Sequence, residues 1–179
     1  MIKYPLQIQN LEVRHPGVSQ GVAASYCEAA AVCLHRHHVP PKDFILRRGS
    51  EIYAIASWET PDARVLRAWA NEIDTTESGA CCIALAAIEI TDNLVAVMRA
   101  ETRTGADYYL APKGEALVDL ESSHRLEISG IDRGSGSGVS ARVRQKIKQA
   151  LAGSSNLPAI AAVVSFSEGV VVVADAVET

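Results

Sequence analysis

Apolar positions recur at helical spacing over residues 18–36, where Val22, Tyr26, Ala29, Ala30 and Cys33 share a side, and Pro40-Pro41 closes the segment because proline cannot continue a helix. Residues 44–48 and 52–58 then flank Gly49-Ser50, which predicts a hairpin. Pro61 suits the first position of a second helix, since its missing N–H needs no partner there, with Thr60 as cap and Val65, Leu66 and Trp69 as apolar side. A third helix is capped within Thr75-Thr76-Glu77-Ser78 and runs through Cys82, Leu85, Ala86 and Ile88 to Ile90. Its residues are mostly small, so it can pack closely on a sheet.

From Leu94 the pattern turns to strand, with Val95 and Val97 leading toward Arg103 and a turn at Thr104-Gly105. Asp107 opens the next strand, over 105–110, and a polar loop covers 112–123. Residues 124–131 alternate with period two, so that Leu126 and Ile128 face one way and Glu127 the other. A Gly/Ser connection at 133–138 leads into a helix over 139–151, whose buried stripe is Val143, Ile147, Ala150 and Leu151. Residues 158–166 and 170–174 read as two last strands. The fold class is therefore α/β (α+β): one domain over 1–179, a central mixed β-sheet flanked by helices, with no internal repeat.

Composition agrees with a folded chain, at 48% hydrophobic residues. A net charge of −4 argues against a protein that coats nucleic acid non-specifically, because that mode needs many Lys and Arg contacts to phosphate. A local basic patch is still allowed. Cys27, Cys33, Cys81 and Cys82 lie in Ala-rich helical segments without a CxxC pair and read as reduced core residues. The start lacks an apolar signal core, and the Ala-rich run 79–90 is too short to span a bilayer, so the expected location is the cytoplasm, without a membrane.

The chemistry concentrates in the last third. A carboxylate in mid-strand, Glu127, beside another at the mouth of the neighbouring strand, Asp107, is what a divalent-metal phosphodiester site needs, because hard cations prefer carboxylate oxygens. On the helix that follows, at about 100° of rotation per residue, Lys146 lies beside the Val143 and Ile147 stripe, with Arg142 one turn earlier on the same flank. Gln145 and Gln149 continue that polar side.

The order helix, strand, strand, strand, helix, strand, with Asp107 opening the second strand and Glu127 in the third, resembles the core of the PD-(D/E)XK (restriction-endonuclease-like) nuclease superfamily over residues 75 to 166. The resemblance implies a nuclease-like core over about 75–179, preceded by an N-terminal helix–hairpin–helix extension over about 1–74 that is free to bind a protein partner or a second copy. It implies Asp107 and Glu127 as ligands of Mg²⁺ (or Mn²⁺), the Ile128 carbonyl as a third, and Glu77 as a weaker extra acid. The family's Lys, two positions after the second acid, is here Ser129, and Lys146 on the following helix is the replacement, as in some members of the superfamily. Arg142 would stabilise charge on phosphate, and Gln145 matches a helix glutamine found near the metal in some of these nucleases. The implied partner is nucleic acid.

Two other readings stay open. A non-catalytic binding or assembly module could keep this fold after losing the strand Lys, and an α/β ligand-binding domain could use the glycine loop 134–138 at a helix N-terminus. That loop lacks the Lys-Ser/Thr of a Walker motif and the GxGxxG spacing. Cys33, His35, His37 and His38 suggest zinc but lack a matching second pair, and attraction to the negative end of a helix explains the histidines better. Ser165 and Ser167 lie outside any GxSxG elbow. Of Tyr108 and Tyr109, alternation places one ring in the core and one where a base could stack.

Overall fold

The computed structural model describes residues 2–102, 104–114, 120–153 and 155–177. Its strands are β1 (Tyr4–Leu6), β2 (Lys42–Arg48), β3 (Ser50–Ala56), β4 (Leu94–Arg99), β5 (Tyr108–Pro112), β6 (His124–Ile131), β7 (Ala159–Ser165) and β8 (Val170–Asp175). The helices are α1 (Leu11–Arg14), α2 (Gln20–His35), α3 (Ala63–Ala68), α4 (Glu72–Thr91) and α5 (Gly136–Ala152). All eight strands form one mixed sheet in the order β1-β3-β2-β8-β7-β6-β5-β4. Within it β4, β5 and β6 are antiparallel neighbours, and β7 joins β6 in parallel after the α5 crossover. No helix among the described residues is long and apolar enough to cross a membrane.

The hairpin closes at Gly49, whose φ of 71° is the left-handed turn that glycine adopts without cost. Its strands join the same sheet through β8, so the first half of the chain is continuous with the second half's sheet. Helix α4 begins a full turn before the expected cap. Asn71 caps it by accepting from the Ile73 and Asp74 N–H groups, while Thr75 and Thr76 are buried within it, their hydroxyls donating back to Asn71 and Glu72 carbonyls. From Gly79 to Ile88 every residue of α4 is buried, because α2 covers one side and the sheet the other. A Cβ at Gly79 would stand 3.1 Å from the backbone of Ala29 and Ala30, and one at Gly130 of β6 would overlap Thr76. Small residues therefore set the spacing of three layers, as the sequence suggested. Phe44, Leu46, Leu126, Ile128, Phe166 and Val171 supply the sheet's side of this core.

The opposite face is thinner. There α5 covers β6, β7 and β8 through Val139 and Val143 against Val163. Leu151, expected in that stripe, is 38% exposed, because the apolar face ends at Ala150.

Other expectations change in detail. Helix α3 starts at Ala63 with Asp62 as its cap, since Asp62 Oδ1 accepts from both Arg64 and Val65 N–H at 2.8 Å, which Thr60 cannot reach. None of its residues is fully buried, and Leu66 faces solvent. Strand β4 ends at Arg99, and Arg103 and residues 115–119 of the polar loop lie outside the described residues. No periodicity announces strand β1 and helix α1, which are too short to show one. They lead to His15, fully buried, whose Nδ1 accepts the Ala96 N–H at 2.9 Å while Gly17 N–H donates to the Ala96 carbonyl. The outer strand β4 is thus paired by the N-terminal segment, which blunts an edge otherwise open to another chain. His15 Nε2 must then carry the proton and donates to Glu89, which also receives Arg14 and Lys113.

Candidate active site

The site lies where β5 and β6 part. Their register ends at Tyr108↔Leu126, and Asp107 N–H still donates to the Leu126 carbonyl at 2.7 Å. Two residues further along β6 the ladder is replaced by a side chain, as Asp107 Oδ2 accepts the Ile128 N–H at 2.8 Å. The N–H and C=O of a strand residue point to the same edge, so the Ile128 carbonyl opens onto this splay as well. Glu127 lies between these residues, on the sheet face that carries α5. Asp107 and Glu127 therefore line one cleft from adjacent segments, close enough that the charge of Asp107 acts on Glu127.

Arg125 fixes the loop that delivers Asp107. It is 3% exposed and has no carboxylate partner among the described residues; Nη1 donates to the carbonyls of Thr104 and Ala150, each at 2.9 Å, and Nε to that of Leu157 at 3.2 Å. A cation at the carbonyl end of α5 is favoured by the helix dipole. Gly105 and Gly153 let the loop and the helix end meet, for a Cβ on Gly153 would overlap Thr104.

Cations surround the acids. Lys146 Nζ lies 2.6 Å from Glu127 Oε1, with both side chains largely buried. Arg142 Nη1 donates to Ser129 Oγ at 3.4 Å, so a helix arginine reaches the strand position two residues after Glu127. On the far side Arg99 Nη2 is 3.5 Å from Asp107 Oδ1, its Nη1 donates to Tyr26 Oη at 2.8 Å, and its guanidinium lies 4.8 Å above the Tyr108 ring. Burial pushes the Glu127 carboxyl above the usual carboxylate range and the Asp107 charge adds to this, while Lys146 opposes both. Burial disfavours the Arg99 charge, but Tyr108 and Tyr26 outweigh it and hold the guanidinium firmly protonated.

These groups line a cleft of about 320 Å³, and a groove of about 600 Å³ shares Arg99, Glu127 and Lys146 with it. Glu77 reaches the cleft from the second turn of α4, where the earlier helix start has moved it. Gln145 does not line it; the residue is exposed, and Gln149, one turn on, borders the groove instead. Cys81 lies at the cleft's base, where burial and then Asp107 push its thiol up to about 12, which makes it a poor nucleophile. Tyr108 and Tyr109 are both buried, 1% and 7% exposed, so neither offers a free stacking face.

The other candidate groups disperse. Cys33 Sγ donates to the Thr75 carbonyl, His37 pairs with Asp132, His38 donates to the Phe166 carbonyl, and His35 is exposed. Among the described residues no three His, Cys, Asp or Glu side chains are grouped to hold a metal. The glycine loop is exposed and merges into the first turn of α5 at Gly136, and Gly134 N–H donates to Ser167 Oγ. All four cysteines are free. A cavity of about 460 Å³ between α2 and α3 is acidic, but Asp62 there caps α3 and Glu28 accepts from Trp69.

Sequence reasoning missed Arg99, Tyr26 and Arg125. Arg125 carries a faint signal, a cation at a position alternation assigns to the same face as Glu127; Arg99 and Tyr26 carry none, since their meeting depends on how α2 packs against α4. No family model, no curated protein and no solved structure matches the chain.

Proposed function

We propose that this protein is a divalent-metal-dependent phosphodiesterase acting on nucleic acid, of restriction-endonuclease-like type, with residues 75–179 as its catalytic core. The observation that carries the reading is the convergence of Asp107, Glu127 and Lys146 on one cleft, from β5's mouth, mid-β6 and α5. The run α4-β4-β5-β6-α5-β7 follows the order of elements on which the resemblance rests. The donors fit a hard cation. Asp107 Oδ1, a Glu127 oxygen and the Ile128 carbonyl are all oxygens, and Mg²⁺ is commonly held by one or two carboxylates while water and substrate phosphates complete its shell.

Bound there, Mg²⁺ or Mn²⁺ would lower the pKa of a water and polarise a phosphoryl oxygen. Lys146 holds Glu127 in place and presents N–H groups to the attacking oxygen and to the charge that grows on phosphate. Arg142 binds a neighbouring phosphate from the same helix. The groove beside the cleft gives the strand a path past the acids.

The test is titration of the purified chain with Mn²⁺ by calorimetry, alongside cleavage of single- and double-stranded DNA and RNA with and without metal. Glu127→Gln, which keeps the shape and removes the charge, should lose both metal binding and cleavage. A second reading has its own support: Lys146 and Arg99 already neutralise the acid pair, as a non-catalytic assembly module would require. Failure of the wild type to bind Mn²⁺ at millimolar concentration would select it.

A further inference from the structure

The two oxygens of Asp107 have different partners, one a backbone N–H and one an arginine. Oδ2 is held by the Ile128 N–H, and Oδ1, the oxygen left for a cation, faces Arg99 at 3.5 Å. Arg99 is 53% exposed, and its fixed contacts are Tyr26 Oη and the ring of Tyr108, which steady it without enclosing it. Together with Lys146 on Glu127, it balances the charge of the acid pair in the free protein. A divalent cation on the same pair would leave two positive charges in excess. A guanidinium so displaced would lie at the lip shared by the cleft and the groove, where a phosphodiester would run.

We propose that Arg99 is a place-holding cation: it occupies Asp107 until the metal arrives, then transfers to a phosphate of the bound strand, with Tyr26 and Tyr108 as its pivot. This rests on the metal-dependent reading above. It makes Arg99 a competitor of the metal and a partner of the nucleic acid, opposite effects that a merely structural arginine would not have. No covalent step is involved; one ion pair is exchanged for another.

The experiment measures Mn²⁺ affinity by calorimetry for wild type, Arg99→Met and Arg99→Lys, then binding of a fluorescein-labelled single-stranded DNA oligonucleotide in Ca²⁺. Arg99→Met should bind Mn²⁺ about fivefold more tightly and the oligonucleotide about tenfold more weakly, with Arg99→Lys between the two. Tyr26→Phe keeps the ring, loses the Arg99 hydrogen bond, and should also tighten Mn²⁺ binding by a smaller factor, which gives a second handle if Arg99→Met folds poorly. Unchanged or weaker Mn²⁺ binding in these variants, with wild type binding Mn²⁺, overturns the exchange and leaves the metal site standing. A wild type that binds no Mn²⁺ overturns both.

Discussion

Lys146 and Glu127 are nineteen residues apart in sequence and 2.6 Å apart at Nζ and Oε1. The pairing brings a cation from α5 to a strand whose own candidate position, two residues after the acid, holds only Ser129. Cation and acid can be supplied by different elements here because α5 crosses directly over β6 and β7 before the chain enters β7 in parallel.

If that cation serves the reaction, Lys146→Met should slow metal-dependent cleavage by about 10²- to 10³-fold while Mn²⁺ affinity stays within a small factor of wild type. Single-turnover kinetics with calorimetry on the same preparations would separate the two quantities. An equal loss of both would mean that Lys146 only positions Glu127.

Nucleic-acid binding should depend on salt through α5. The double substitution Arg142→Ala, Lys146→Ala should weaken oligonucleotide binding at low salt and reduce the slope of log K against log[salt] by about 0.7–0.9 for each phosphate that is no longer neutralised. Fluorescence anisotropy over a range of NaCl concentrations measures it. An unchanged slope would remove this helix face from the interface.

Arg125→Met should cost about 3 kcal/mol of stability, because the carbonyls of Thr104, Ala150 and Leu157 lose their shared donor inside the fold. The urea midpoint should fall with little change in slope. Cleavage should suffer beyond the loss of folded protein, since the loop that carries Asp107 is released from α5.

Acid should weaken the N-terminal anchor. Although burial opposes it, hydrogen bonds from His15 and Arg14 hold the Glu89 carboxyl at about 2, below its ordinary 4.5. Its folded pKa is depressed, so its stabilisation is complete above the unfolded value and is lost as pH falls toward the folded one; the total is on the order of 3 kcal/mol. Wild type should therefore lose stability relative to Glu89→Gln between about pH 4.5 and pH 2, a difference that urea melts at several pH values would read. A constant difference across that window would show that the carboxylate's charge contributes nothing.

Much of this protein follows from the order of its residues alone. The alternation in 124–131 assigned Glu127 to the face opposite Leu126 and Ile128, and those two are buried under α4 as period two demands. The helical period of α5 put Arg142 and Lys146 on one flank, and both reach the cleft. Such relations are local: a strand's pleat and a helix's turn fix which side chains share a face, whatever the rest of the chain does.

Relations between elements arise only when the chain packs. Leu151 follows the periodic stripe yet stays exposed, because the period does not say where the covering strands end. The single sheet arises from Ile45, Leu46 and Arg47 of β2 pairing with Val170, Val171 and Val172 of β8, across a sequence distance no periodicity spans. The β4–β5 register brings Arg99 opposite Tyr108, but Tyr26 joins that pair only when α2 is packed against α4. Backbone period acts over one turn or one pleat, whereas the side chains of a site are gathered by packing among segments far apart in the chain, which is settled only when the whole core closes.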